Sequence, residues 1–138
     1  MGSDTAPAQQ TDLSWLLRGL VERVPHTRSA LLLSSDGLVK AVDGLEQDEA
    51  EHLAALASGL YSLARSAGKR FDSGGDVRQI VTELSNSVLF VAAAGHGAHL
   101  AVLAGRDADA SVLAYEMAML IKSVRSHLAT PARQPARQ

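Results

Sequence analysis

Ser29-Ala-Leu-Leu-Leu-Ser-Ser-Asp-Gly-Leu-Val-Lys-Ala41 is the stretch on which the reading of this chain turns. It divides at Asp36-Gly37 into two strands. Asp-Gly suits a tight type I′ hairpin turn, because the pair accepts φ > 0 at both central positions. Ala30 to Leu33 is apolar at every position instead of alternating. A strand of that kind is covered on both faces. The return strand, 38–42, is shorter and carries Lys40, which suits a sheet edge. The hairpin therefore requires two covering layers from the rest of the chain.

Three more strands follow in quick succession. Residues 76–84 place Val77 and Val81 on one face and Ile80 and Leu84 on the other, among Arg78, Gln79, Thr82 and Glu83. That mixture predicts a partly covered edge strand. Ser87 to Ala94 and Leu100 to Ala104 are continuous apolar runs and read as central strands, joined at Gly95-His96-Gly97. The connections are too short for crossover helices, so the three strands form an antiparallel meander.

Three amphipathic stretches supply the layers. The first runs from Asp12, a suitable N-cap, to Val24 before Pro25. Its stripe is Leu13, Leu16, Leu17, Leu20, Val21 and Val24, with Trp15 on the far side as a candidate second interface. The second runs from Glu46 to Gly68, with acids at its start and Arg65, Lys69 and Arg70 at its end, as the helix dipole favours. Leu53, Leu56, Ala57, Leu60, Leu63, Ala64 and Ala67 are its expected core stripe. Ala55, Ser58, Gly59, Ser62 and Ser66 are its expected outer face. Glycine in mid-helix costs about 1 kcal/mol relative to alanine, which implies a packing reason for Gly59. The third helix starts at Asp107 or Asp109 and buries Leu113, Met117, Leu120, Ile121, Val124 and Leu128. Tyr115 and Met119 form a second strip, expected to meet the first helix.

The expected fold is a three-layer α+β domain over residues 12–128, a five-stranded antiparallel sheet in the order 2-1-5-4-3. The second helix lies alone on one face and the other two share the opposite face. Residues 1–11 and 129–138 are expected to be disordered tails. The second of these repeats Pro-Ala-Arg-Gln and has no apolar residue larger than alanine.

Composition narrows the function. The chain has 138 residues, a formal net charge of −2 and no cysteine. Disulfides and thiolate metal sites are excluded, and a reducing cytoplasm fits. No apolar run is long enough to span a membrane, and the first residues lack the pattern of a signal peptide. Near-neutral charge without a basic stripe argues against nucleic acid as a partner. Of five histidines (His26, His52, His96, His99 and His127), only His96 and His99 are close in sequence, and no third ligand accompanies them. All five read as surface histidines. Ser34, Ser35 and Asp36 are accounted for by the turn, and Gly68-Lys69-Arg70 lacks the frame of a phosphate loop. No catalytic residue, cofactor or metal is expected, and the central strands offer no buried polar set for a ligand.

The small-residue face and the free edge strand together predict a two-fold homodimer. Its interface would use Ala55, Ser58, Gly59, Ser62 and Ser66 with Val77, Gln79, Ile80 and Val81.

The hairpin at 31–39 resembles the signature of the roadblock/dynein light chain family. So do Leu-Phe-Val-Ala-Ala-Ala-Gly at 89–95, Ala-His-Leu-Ala-Val-Leu-Ala at 98–104 and the closing helix with Tyr115-Glu116-Met117. The element order agrees from Leu13 to Leu128. The resemblance implies a profilin-like sheet and a non-enzymatic dimer that acts as a scaffold or regulator of small GTPases in signalling. The Ala-, Leu- and Arg-rich character is similar to the roadblock components of actinobacterial conservons. That likeness implies a Ras-like small GTPase and a sensor-kinase-like protein as partners. The family has no fixed catalytic residue to carry over. A small-ligand sensory domain is the alternative, since profilin-like and PAS-like layouts are close.

Overall fold

A computed structural model describes residues 5–95 and 97–129. The elements are α1 (Thr5–Arg23), β1 (Thr27–Ser34), β2 (Val39–Asp43), α2 (Gln47–Phe71), β3 (Ile80–Glu83), β4 (Ser87–Gly95), β5 (Ala98–Gly105) and α3 (Ala110–Ala129). The strands form one antiparallel sheet in the order β2-β1-β5-β4-β3, as expected. The apolar run of β1 lies against β5, with Leu31 opposite Ala101 and Leu32 opposite Leu100.

Period-2 alternation sorts these strands between two cores. Ala30, Leu32, Phe90, Leu100 and Val102 face α1 and α3, where they meet Leu17, Leu20, Val24, Leu113, Met117, Leu120 and Val124. Leu31, Leu33, Leu89, Val91 and Ala101 face α2, where they meet Ala50, Ala54 and Ala57. Between α1 and α3, Arg23 Nε donates to Glu116 Oε1 at 2.9 Å. At the start of α3, Asp109 Oδ1 accepts from the N–H groups of Ser111 and Val112, at 2.9 and 3.1 Å, as an N-cap does.

Several expectations need correction. Helix α1 begins at Thr5, not Asp12, so part of the expected N-terminal tail is helical. Residues 1–4 and 130–138, His96 and the side chain of Leu128 lie outside the described residues. The edge strand spans only Ile80–Glu83, because pairing with β4 ends at Ile80 opposite Val91. The first hairpin is not type I′. Gly37 has φ +88, but neither Ser35 nor Asp36 has positive φ. Gly37 N donates to Ser34 O, and Ser34 N to Leu38 O, each at 2.9 Å. This is a three-residue loop, a turn over Ser35-Asp36 closed by a left-handed glycine. Ser34 Oγ donates to Asp36 Oδ1 within it.

The largest correction concerns the rotation of α2. Leu56 and Leu63, expected in the core, are 56% and 71% exposed, whereas Ala50, Ala54 and Ala57 are fully buried. Leucines and valines of β1 and β4 already fill the space above the sheet. The helix therefore rests its alanine side there, and Leu53 and Leu60 close the flanks. Tyr115 and Met119 are also exposed, at 62% and 42%, and do not form the expected buried contact with α1.

Gly37→Val is expected to destabilise the fold by about 1–3 kcal/mol, because a β-branched residue resists φ > 0. Asp36→Asn keeps an acceptor for Ser34 and should stay within about 0.5 kcal/mol of the parent. Chemical denaturation of the two variants measures both changes.

Candidate functional site

Two surfaces stand out, and α2 contributes to both. On its outer side, Leu56 and Leu63 share one helical face about two turns apart with Gly59 between them, beside Ala55, Ser62 and Ser66, all exposed. A Cβ built at Gly59 meets nothing within 4 Å, so space inside this chain does not require the glycine. Ser58, expected on the same face, is partly buried instead. Its Oγ donates to Ser35 O at 3.0 Å and ties α2 to the hairpin loop. On the short edge strand, Ile80 joins the core beneath α2. Val81 is exposed and, with Gln79, borders a groove on the α3 side that includes Val88 and Phe90. Val77 is partly buried and lines a different cleft, beside α2. Trp15 is 56% exposed on α1. The outer face of α2 and the exposed side of Val81 thus look out from different layers, α2 on one face of the sheet and the Val81 groove beside α3 on the other, where Trp15 of α1 also lies.

The second surface is that cleft, of about 580 Å³, at the end of the sheet where the two hairpin loops meet. Ser35 N donates to Gly97 O at 2.8 Å and holds these loops together. His99 forms the inner wall. The sequence reading placed it on the surface, but it is only 6% exposed, lying opposite Leu33 on β1 and Ala93 on β4. Its ring packs on Tyr61 of α2 with centroids 4.0 Å apart and planes inclined by 39°. His99 Nδ1 is buried without a hydrogen-bond partner. Leaving such a group unsatisfied costs about 1–3 kcal/mol. Burial pushes the imidazole pKa below its ordinary value of 6.5. Alternation along β5 could have revealed it, since His99 shares parity with Ala101 and Leu103.

Arg65 of α2, Asp76 of the following loop and Arg125 of α3 complete the rim. Arg125 reaches it across the end of β4, where a Cβ at Gly95 would stand 2.8 Å from its Nε. The described residues include no group of three or more His, Asp or Glu able to hold a metal. Ser34 and Asp36 engage each other within the turn. No described helix is long and apolar enough to cross a membrane.

His99 gives the fold a pH signature. Its folded pKa lies below the unfolded one, so the unfolded chain takes up the proton first on acidification. The stability linked to His99 is therefore complete above pH 6.5 and falls as pH drops from 6.5 toward the lower folded pKa. His99→Leu should lose stability less steeply than the parent between about pH 7 and pH 5. Urea denaturation of both proteins across that window measures the difference, since carboxylate contributions are common to the two.

Comparison with known proteins agrees with this architecture. The Roadblock/LC7 domain family matches residues 13–104. A roadblock/LC7 domain from Streptomyces avermitilis is 69% identical, with a TM-score of 0.84, covering 85% of this chain and 98% of that one. A second domain of that description from the same organism is 44% identical, with a TM-score of 0.66, covering 80% and 96%. Myxococcus xanthus MglB shares the fold at 12% identity, with a TM-score of 0.82 over 93% of this chain and 96% of that one. No curated protein matches the chain. A match over residues 13–104 and the 69% identity to a Streptomyces roadblock/LC7 domain establish that this chain belongs to the Roadblock/LC7 domain family.

Proposed function

We propose that this protein is a non-enzymatic, dimeric scaffold for a Ras-like small GTPase in cytoplasmic signalling. In this reading the outer face of α2 and the β3 edge join two copies. The observation that carries it is the pair Leu56 and Leu63, exposed at 56% and 71% on either side of an open Gly59. Two leucines on one helix face make an apolar patch of the kind that marks a contact surface. Between them Gly59 lets a second helix approach closely. The short β3 has a free edge, and pairing it with its own copy continues the sheet. An isologous interface would use the same two elements of both copies. A stable pair should bury at least roughly 1,200 Å² in total.

Ala55, Gly59, Ser62 and Ser66 keep their expected place on the outer face, joined now by Leu56 and Leu63. Ser58 faces the hairpin loop instead. Val77 turns toward the cleft, while Gln79, Ile80 and Val81 lie at the edge, where strand pairing would involve them. Trp15 is left on the opposite layer for a further partner. Family membership supports a GTPase as the client, and the sensor-kinase-like partner follows from the conservon resemblance. The family is one of regulators and scaffolds, which supports the non-enzymatic reading.

Leu63→Glu should remove about 1.5–3 kcal/mol of side-chain burial per protomer and place a charge at the contact. Light scattering should then report a shift toward monomer, while the parent stays dimeric at tens of micromolar. A soluble parent monomer at that concentration would overturn the dimer. Pull-down with a panel of bacterial Ras-like GTPases, loaded with GDP or with GTP, tests the client. Binding in at least one nucleotide state is expected, and failure in both would overturn that assignment.

A further inference from the structure

We propose that the cleft between α2 and the two hairpin loops is a binding site for a small tetrahedral oxyanion. Its occupant would be phosphate or the phosphoryl end of a small metabolite, held by Arg65 and Arg125 above the His99 wall. The cleft, of about 580 Å³, falls within the range of small-molecule sites. Its lining sets Ser35, Ser58, Ser62 and the two arginines beside a smaller apolar part that includes Tyr61 and Val77.

Three observations converge on an anion. First, His99 is 6% exposed, lines the cleft and has an unpartnered Nδ1. Nδ1 is sealed from solvent in this arrangement, so an occupant would complete it only with a shift of the His99 and Tyr61 rings. Second, Arg65 and Arg125 form no ion pair among the described residues, where the pairs are Arg18–Asp43 and Arg23–Glu116. The arginines at the opposite end of the sheet behave differently. Arg28 and Arg106 donate to Asn86 O and Ser85 O, at 3.0 and 3.2 Å, and so pin the β3–β4 turn. Third, Gly95 leaves room for Arg125 to reach the rim from the far layer. Guanidinium groups converging from separate elements suit oxyanion recognition. Asp76 is the one acid of the lining, and it sets a net positive rim of one charge with His99 neutral.

The test is NMR titration of the full chain with inorganic phosphate and with glycerol 3-phosphate, using sodium chloride at matched ionic strength as control. Saturable shifts of the His99 and Tyr61 ring resonances are expected with a phosphate probe and not with chloride. Preference between the two probes tells free phosphate from a phosphate ester. Arg65→Ala and Arg125→Ala should each weaken binding about tenfold, as loss of a charged hydrogen-bond donor implies. Asp76→Asn should strengthen it. All three side chains sit on the exposed rim, and thermal melts confirm that the variants fold. Shifts that stay linear with both probes, or saturable shifts that persist unchanged in both arginine variants, would overturn the site. The result is independent of GTPase binding, because it is read on this chain alone.

Discussion

Burial of β1 and β5 on both faces is the constraint on which this structure rests. Leu31 and Leu33 point one way and Leu32 and Ala30 the other, all fully or almost fully buried. Neither set tolerates solvent, so a layer must stand on each side. Two helices cover one face with leucine, methionine and valine, and Arg23–Glu116 links them. A single helix covers the other. It sits there through Ala50, Ala54 and Ala57, which present little side chain of their own. The large residues of the sheet fill that layer, and two leucines of α2 are left facing outward. The apolar surface available to a second copy thus follows from how the sheet is packed.

Much of this was legible before any coordinates. Continuous apolar runs marked β1, β4 and β5 as central, and short connections ordered them. The sheet topology and the distribution of helices across its faces follow from those two features. The rotation of α2 was not legible, because apolar residues surround more than half of the helix. Leu56, Leu63, Ala54 and Ala50 all fit some apolar stripe, and only packing against the actual sheet chooses among them. The first hairpin misled for a related reason. Asp-Gly fits a two-residue loop, but Ser34 engages both Asp36 and the Leu38 N–H, which favours the longer loop. His99 was missed because it borders the glycine-flanked turn, although alternation along β5 gives it the parity of buried Ala101.

Both surfaces meet in α2. Tyr61 and Arg65 border the cleft, while Leu56, Gly59 and Leu63 lie on the outer face of the same helix. Ser58 and Ser35 link that helix to the hairpin loops at one end of the sheet. An occupant of the cleft would therefore bear on the helix through which two copies are proposed to meet. In this way an anion site and a scaffold interface can be parts of one device.

The absence of cysteine permits a direct test of the central claim, that α2 packs against its own copy. Gly59→Cys introduces a single thiol at a position where a Cβ meets nothing within 4 Å. If the outer faces of α2 meet across a two-fold axis, mild oxidation should convert the protein to a covalent dimer in high yield at low micromolar concentration. Val112→Cys, on the exposed side of α3, should form no covalent dimer under the same treatment. Equal cross-linking of the two variants, or cross-linking through Val112→Cys alone, would contradict the account.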